Sequence, residues 1–289
     1  MFRNILLLLI FLGVFQHGYA QDLDSITFVK TKWTKKAIKA NSKLITHHFN
    51  DQNLFGSNQN ISYIEVKNKK RSAVFVIGQE LKILKPTSAF GLESNALAAI
   101  NGTFFDVKNG GSVDLIKVDG SVVTQNRLGQ GGNRSAHQQA AILITDGKLN
   151  IKKWDGSTDW EVKERADNMM VTGPLMSINN METFLDSGSF SVTRHPRTAV
   201  GLKPGGRVIL LTVDGRNDNS SGMSLFELRK IMRWLGCTSS INLDGGGSST
   251  LWVAGEGENG VVNYPTDNKK WDHTGERNVA NTILLKTKR

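Results

Sequence analysis

Two aspartates follow apolar, strand-like segments and precede glycine, at Asp214-Gly215 and Asp244-Gly245. Side chains at strand ends project into the crevice where ligands bind, so both carboxylates are predicted to face one pocket. A carboxylate that only caps its own loop is the alternative for Asp214, because Asp-Gly is a frequent turn sequence.

A run of three glycines and two serines follows Asp244. Without Cβ atoms, Gly245 and Gly246 let backbone N–H groups approach an anionic ligand, and the Ser248 hydroxyl adds a donor. The run lacks the lysine of a P-loop, and residues 129–132 do not have the dinucleotide-binding spacing. The sequence therefore excludes nucleotide-binding motifs.

The segment Arg194-His195-Pro196-Arg197-Thr198 precedes a predicted strand. An arginine fork on a proline-preset loop suits bidentate contact with phosphate or carboxylate, and Arg197 is the better candidate. An exposed or structurally paired arginine is the alternative for both residues, and more so for Arg194. His195 is either a general base or a surface-loop histidine.

An amide and two aromatic rings follow the apolar run 96–100, at Asn101, Phe104 and Phe105. Such a combination suits a sugar. Asn101-Gly102 is equally a good two-residue hairpin turn, and both rings are candidates for the core, so the motif leaves both interpretations open.

Motifs for serine nucleophiles, zinc sites, EF-hands and kinases are absent from the sequence, which disfavours those chemistries. Oxygen atoms near Asp244 are suitable divalent-cation ligands, but no ligand spacing requires a metal. We expect no required cofactor, with a divalent cation possible and any metal site unknown. Glu227 is explained as a helix-capping acid rather than as a catalytic group.

Alternating patterns and turn sequences predict a chain dominated by β-structure. Strands are predicted at 26–31, 61–67, 73–77 and 239–243, hairpins at 113–124, 141–152 and 198–213, a surface loop at 50–60, and short helices at 87–97 and 159–166. Ser224 and Glu227 form a capping box that predicts a helix ending at Gly236. Cys237 is the only cysteine and is expected to be a buried thiol.

Composition places the chain among globular proteins. It has 289 residues, 39% hydrophobic and 21% charged, which excludes a disordered or fibrous polymer and favours one domain. The formal net charge is +10, but the basic residues are scattered, so no nucleic-acid footprint is visible. The oligomeric state is not predictable from these features.

The N-terminus has the layout of a secretory signal peptide. Arg3 precedes an apolar run at 5–15, which is too short to span a bilayer, and Gly18 and Ala20 supply the small residues of a cleavage site. We expect a signal peptide at 1–20, no stable membrane anchor after cleavage, and a periplasmic or extracellular protein. A strand-rich part at 21–95 would then precede the core at 96–289.

Seven segments, taken in order, resemble one family. They are NGTFFD from Asn101, TGPLM from Thr172, RHPRTAVG from Arg194, VDGR from Val213, SGMSLFEL from Ser221, NLDGGGSSTLWV from Asn242 and RNVANTILL from Arg277. Over residues 96–285 the chain resembles the phosphodiester glycosidase family. The resemblance implies an α+β fold, with a mixed, largely antiparallel sheet core, a few packed helices and a single catalytic domain.

The resemblance also implies which residues form the pocket. Those carried over are Asn101, Phe104, Gly173, Arg197, Thr198, Asp214, Arg216, Asp244, Gly245, Gly246, Ser248 and Arg277. Thr103 stands where a second small glycine is frequent in the family. The cysteine-rich modules and membrane segment of the animal members have no counterpart in this sequence.

The implied activity is hydrolysis of a sugar-1-phosphodiester, with an N-acetylglucosamine-like sugar, to free sugar and a phosphomonoester. Cleavage builds positive charge at the anomeric carbon and negative charge on the leaving phosphate. We therefore hypothesise that Asp244 and Asp214 serve as nucleophile or base and electrostatic stabiliser. Arg197 and Arg216 would neutralise the departing phosphate, and the glycine turn would donate N–H groups. The expected partner is an envelope or extracellular glycan or sugar phosphate. A non-catalytic binder of anionic or phosphorylated polysaccharide, and a cell-surface assembly partner, are the alternatives.

Overall fold

The computed structural model describes residues 23–68 and 73–288, so the predicted signal peptide at 1–20 lies outside the described residues. The helices are α1 (Leu23–Lys30), α2 (Thr87–Glu93), α3 (Trp160–Lys163), α4 (Ser189–Val192) and α5 (Leu225–Trp234), with single 3-10 turns at Gln130–Gly132, Ala136–Gln138 and Gly246–Ser248. The strands are β1 (Thr34–Ile38), β2 (Ser42–Leu54), β3 (Ser57–Lys67), β4 (Ala73–Gln79), β5 (Ala98–Asn101), β6 (Ile116–Val118), β7 (Ser121–Thr124), β8 (Ala140–Thr145), β9 (Lys148–Lys153), β10 (Asn168–Val171), β11 (Leu175–Ile178), β12 (Met181–Glu182), β13 (Arg197–Lys203), β14 (Arg207–Val213), β15 (Ser239–Asn242), β16 (Leu251–Val253) and β17 (Asn281–Thr287).

The strands form three sheets. An eight-stranded sheet has the order β1-β2-β3-β14-β13-β15-β11-β12, a five-stranded sheet β7-β6-β10-β8-β9, and a four-stranded sheet β16-β5-β17-β4. Every strand pairing between described residues is antiparallel. Because helices pack on largely antiparallel sheets, the predicted α+β fold class is confirmed.

The three sheets share one apolar core. Successive residues of a strand point to opposite faces, so Leu210 of β14 enters this core while Leu211 faces the layer that carries α5. Residues from all three sheets, including Ile100 and Ile142, meet Leu210 in the shared core. Helix α2 covers the outer face of the four-stranded sheet and α3 that of the five-stranded sheet.

Several local predictions are confirmed. The Ser224 side chain accepts from the N–H of Glu227 at the start of α5, and the Glu227 carboxylate accepts from the Ser224 N–H. Gly236 ends the helix with φ +84°, and Cys237 is buried beside it. The three predicted hairpins are β6–β7, β8–β9 and β13–β14.

Two local predictions are wrong. Residues 26–31 were expected to form a strand, but they belong mainly to α1, where Phe28 is buried against Trp33. Residues 50–60 were expected to form a surface loop, but they contain the end of β2 and the start of β3. Their polar side chains mislead because they bind a distant loop, as when Asn58 donates to the carbonyl of Asp218.

The strand directions bring several chain segments to one corner. Strands β14 and β15 flank β13 and run antiparallel to it, so both end beside the start of β13 at Arg197. Strand β5 of the four-stranded sheet ends there too, and its Asn101 accepts from the Thr198 hydroxyl at 2.8 Å. No helix among the described residues is long and apolar enough to cross a membrane.

Candidate functional site

A cleft of about 230 Å³ opens at this corner of the sheets. Its lining consists of Phe190, His195, Arg197, Arg216, Asp244, Gly245, Gly246, Gly247 and Arg277. A larger cavity of about 620 Å³, beside β2, contains none of the residues that the sequence predicts for the site. The smaller cleft is the candidate site because it combines one carboxylate with three guanidinium groups.

Asp244 follows β15 and is the carboxylate of the cleft. Its backbone is fixed at both ends, because its N–H donates to the carbonyl of Gly102 and its carbonyl accepts from Asn101 Nδ2 at 2.7 Å. Burial raises the pKa of the carboxyl to about 6, against the effects of Ser248, the N–H of Gly245 and the charge of Arg277. A carboxyl group with a pKa close to neutrality is typical of functional sites.

Arg197 begins β13 and is 1% exposed. Its Nε donates to the carbonyl of Met223, and one terminal nitrogen donates to the carbonyls of Phe190 and Thr193. Burial, together with the charge of Arg216, lowers the pKa of this guanidinium to about 10. Its polar contacts among the described residues are carbonyls rather than carboxylates, so its positive charge is available to an anion in the cleft.

Arg216 faces the same space from the loop after β14. It has a left-handed backbone, with φ +60°, and a terminal nitrogen of its side chain lies 3.3 Å from Nδ1 of His195. Burial and the charges of Arg197 and Arg216 lower the pKa of His195. The structure thus places His195 in the cleft as an imidazole whose neutral form is favoured.

The third guanidinium, Arg277, is held by a neighbouring carboxylate. Its Nε and a terminal nitrogen donate to one oxygen of Asp267, at 2.9 and 2.5 Å. The pair lies directly over Gly247, since a Cβ there would stand 2.4 Å from the Asp267 oxygen and 2.6 Å from the guanidinium. A side chain at Gly247 would therefore displace the Arg277–Asp267 pair from the turn.

The glycine turn is less open to a ligand than the sequence suggests. The N–H of Gly245 donates to the Asp244 carboxylate and that of Gly246 to the carbonyl of Pro196. The N–H groups of Ser248 and Ser249 donate back to the turn itself. The expectation that the turn offers these N–H groups to an anion is corrected, because internal bonds already use them. The glycines instead allow close packing, as a Cβ on Gly245 would stand 2.7 Å from the Pro196 carbonyl.

Three predicted pocket residues lie behind the cleft rather than in its lining. Asn101 and Thr198 are fully buried, and the Thr198 hydroxyl lies between Asn101 Oδ1 and the Ser249 hydroxyl. Ser248 is fully buried as well. The hydrogen bonds of Asn101 and Thr198 hold the strand ends in place, and none of the three side chains reaches solvent.

Asp214 is not brought together with Asp244 in the cleft. It is 1% exposed, and its carboxylate accepts from Asn60 Nδ2, Asn263 Nδ2 and the N–H of Tyr264, at 2.7, 2.8 and 3.0 Å. The expectation that both aspartates face one pocket is corrected, because three donors from distant segments enclose the Asp214 carboxylate. Burial raises its pKa while these donors lower it, and burial is the larger effect.

Arg194 and Glu227 are structural. The guanidinium donates to the Glu227 carboxylate at 2.5 Å and to the carbonyl of Phe55, and Glu227 also caps α5. Of the two arginines in the segment, only Arg197 lines the cleft.

The predicted pocket residue Phe104 lies next to the cleft in a group whose other members, Phe190, His137 and Asp114, were not predicted from the sequence. Phe190 lies over Arg197 at 4.9 Å, and Phe104 lies 6.0 Å from Phe190 and 4.6 Å from the ring of His137. His137 in turn contacts the buried Asp114. The available signal was Asp114 itself, a charged residue inside the apolar run 113–118.

The described residues contain no candidate metal site. Within residues 23–68 and 73–288, no group of three or more His, Cys, Asp or Glu side chains is arranged to hold a metal ion. The cleft itself brings the Asp244 carboxylate together with the guanidinium groups of Arg197, Arg216 and Arg277.

Parts of the chain are similar in sequence to two known proteins. A segment of 130 residues is 38% identical to an SPbeta prophage-derived uncharacterized protein of Bacillus subtilis, YomE, covering 45% of this chain and 17% of that protein. A segment of 85 residues is 36% identical to the mouse N-acetylglucosamine-1-phosphodiester alpha-N-acetylglucosaminidase, covering 28% of this chain and 16% of that enzyme. The matches thus span less than a fifth of these relatives' own lengths.

Two solved structures share the fold of this chain, and a family model matches most of it. The catalytic domain of the zebrafish N-acetylglucosamine-1-phosphodiester alpha-N-acetylglucosaminidase, auto-inhibited by its pro-peptide, has the same fold, with a TM-score of 0.65 and 21% identity over 90% of this chain and 89% of that one. A hypothetical protein from Synechocystis matches with a TM-score of 0.61 and 14% identity, over 89% of this chain and 64% of that one. The family model described as phosphodiester glycosidase matches residues 94–286, more than half of the sequence. The chain therefore belongs to the phosphodiester glycosidase family.

Proposed function

We propose that this protein hydrolyses a sugar-1-phosphodiester, releasing the sugar and leaving a phosphomonoester on the other partner. The observation that carries the proposal is the position of Asp244, a half-buried carboxylate in the same cleft as Arg197, Arg216 and Arg277. Breaking the bond between the anomeric carbon and the phosphate oxygen creates charges of opposite sign a few ångströms apart. A carboxylate beside guanidinium groups is complementary to that charge separation.

The cleft residues have separate roles toward the phosphate and toward the sugar. Arg197 and Arg216 neutralise the departing phosphate, and the buried setting of Arg197 makes its charge more effective than it would be in water. Asp244 faces the sugar and stabilises the positive charge at the anomeric carbon. The rings of Phe190 and Phe104 provide apolar surface for a sugar face, and such rings pack well on C–H groups. Asp214 has no part in this proposal beyond holding the loop that carries Arg216.

The substrate class is proposed from the relatives. The mouse enzyme is named for N-acetylglucosamine linked through a 1-phosphodiester, so we propose an N-acetylglucosamine-like sugar. The signal-like residues 1–20 support export, and with it an envelope or extracellular glycan as the natural substrate.

The test is sugar release from α-N-acetylglucosamine 1-(methyl phosphate) by the purified protein, followed over time beside the Asp244→Asn variant. The expected result is release by the native protein and loss of release in the variant. Tight binding of this and related sugar diesters without release would contradict hydrolysis and favour the binding-protein alternative. Release that is equal in both proteins would remove Asp244 from the mechanism. Release that persists in a chelator would show that no accessible metal is required.

A further inference from the structure

A histidine and a carboxylate form a pair beside the cleft. His137 lies in the single-turn helix Ala136–Gln138, and its Nε2 is 3.3 Å from Oδ1 of Asp114. The Asp114 side chain is fully buried, whereas that of His137 is 28% exposed, so the pair has one buried end and one end open to solvent. A carboxylate facing one ring nitrogen keeps a proton on that nitrogen and leaves the other unprotonated.

The carboxylate of this pair is fixed from several directions. Thr103 Oγ1 donates to one oxygen of Asp114 at 3.0 Å, and Gln138 Nε2 donates to the other at 2.9 Å. Gln138 also closes a capping box with Ser135 at the start of the helical turn that carries His137. Thr103, where the family frequently has a small glycine, therefore has a definite task in this chain, which is to hold Asp114.

Backbone packing ties His137 to the strand that ends at Asp244. A Cβ on Gly173 would stand 3.1 Å from the Cα of His137 and 3.2 Å from the carbonyl of Ala136, so a side chain there would require the backbone around His137 to move by a few tenths of an ångström. The Gly173 carbonyl accepts from Asn242 Nδ2 at 3.0 Å, two residues before Asp244. Gly173, predicted as a pocket residue, thus lets the loop that carries His137 pack closely against the backbone.

The ring of His137 continues the aromatic side of the cleft. It lies 4.6 Å from the ring of Phe104, which lies 6.0 Å from Phe190 in the cleft lining. The negative charge of the buried Asp114 is close enough to Asp244 to raise the pKa of the Asp244 carboxyl. The pair therefore borders the region where the sugar is expected.

We propose that His137, oriented by Asp114, is the general base that takes a proton from the hydrolytic water, an inference that rests on the function proposed above. The water oxygen forms a bond to the anomeric carbon, and its proton moves to Nδ1 of His137. The bond from the anomeric carbon to the phosphate oxygen breaks, and its electron pair stays on the phosphate, which Arg197 and Arg216 neutralise. Asp244 is then free to stabilise the positive charge on the sugar.

The experiment uses the full protein and its His137→Ala, Asp114→Asn and doubly substituted forms. Sugar release from α-N-acetylglucosamine 1-(methyl phosphate) is measured with and without sodium azide, together with the melting temperature. Azide is an anionic nucleophile that needs no base, so it should restore turnover to His137→Ala and yield the glycosyl azide, detected by mass spectrometry. His137→Asn serves as a second variant that conserves polarity and approximate size.

We expect His137→Ala to lower kcat by about 10²- to 10⁴-fold, the usual contribution of a general base. We expect Asp114→Asn to be less impaired and the double variant no slower than His137→Ala, because the two residues act as a unit. Full turnover in His137→Ala, or slow turnover with native melting and no azide rescue in either His137 variant, would overturn the base role. Absence of release by the native protein would instead overturn the proposed hydrolysis, and with it this inference.

Discussion

The loops after β14 and after β15 begin with the same pattern, an aspartate and a glycine at the end of a buried strand, yet they place the carboxylate in opposite settings. Asp214 turns inward and meets three donors from β3 and from the segment after β16. Asp244 turns into the cleft, where the one backbone donor to its carboxylate is the adjacent Gly245. A carboxylate whose oxygen atoms already accept several hydrogen bonds stabilises the fold. A carboxylate with fewer such bonds can still interact with a substrate.

The same contrast separates two arginines that are three residues apart. Arg194 is paired with Glu227, whereas Arg197 is anchored by carbonyls and keeps its charge for the cleft. Neutral anchors position a cation without cancelling it. In both pairs, the nature of the partner decides which residue is available to a ligand, and the type of residue does not.

The largest expected effect is the difference between Asp244→Asn and Asp214→Asn. Asp244→Asn should lower kcat for sugar release by about 10²- to 10³-fold, the usual loss for one preorganised electrostatic group. Asp214→Asn should instead destabilise the fold by about 1–3 kcal/mol, since an amide cannot accept from all three donors. Turnover at 20 °C and melting temperature, measured for both, separate the two roles.

One result would contradict these separate roles. If Asp214→Asn lost turnover while its melting temperature stayed native, Asp214 would have to take part in catalysis.

A second prediction concerns the two arginines. Arg197→Lys should lower kcat/KM by about 10²-fold, because lysine retains one charge but cannot both satisfy the carbonyls and face the phosphate. Arg194→Lys is the matched control, with turnover unchanged and stability altered by at most about 1 kcal/mol, as its pair with Glu227 is partly exposed. Equal losses in the two variants, by steady-state kinetics, would show that the nature of the partner does not decide the role.

A third prediction concerns stability and pH. Burial raises the pKa of Asp244 from 3.8 to about 6, so between these values the folded protein binds more protons than the unfolded chain. The contribution of this group to the free energy of unfolding therefore falls as pH rises from about 4 to above 6. Asp244→Asn lacks that contribution, and its melting temperature should exceed that of the native protein by a margin that grows across this range. Thermal melts at a series of pH values check this, and a constant margin would contradict it.

The sequence predicts where the strands end, but it predicts less well which side chains surround the residues at those ends. Alternating apolar residues and a capping box are local signals, so the three hairpins and α5 follow from neighbouring residues alone. The partners of Asp214 come from Asn60 and Asn263, and no local pattern connects these to residue 214. Its inward orientation is a product of sheet assembly.

The errors in the N-terminal part have a similar origin. The β-branched and aromatic residues of 26–31 are typical of a strand, but the stacking of Phe28 on Phe49 and its contact with Trp234 support a helix at that place. Asp114 and His137 were missed because their significance depends on each other and on Asp244. A carboxylate in an apolar run is visible in the sequence, whereas its partner is visible only in the fold.

The smallest expected effect concerns Asp267, which holds Arg277 through one carboxylate oxygen. This carboxylate offsets part of the positive charge of the cleft, and the pair is about one-third exposed, so solvent weakens the interaction. Asp267→Asn keeps a hydrogen-bond acceptor for Arg277 but removes the negative charge, so KM for the anionic diester should fall by about two- to fivefold with kcat nearly unchanged, in line with a surface charge effect of under about 1 kcal/mol. Initial rates at low and moderate salt check the assignment, because the difference should shrink as salt screens the charges. A higher KM at every salt concentration would show instead that Asp267 acts by positioning Arg277, and the cleft would then need its acidic neighbour as much as its cations.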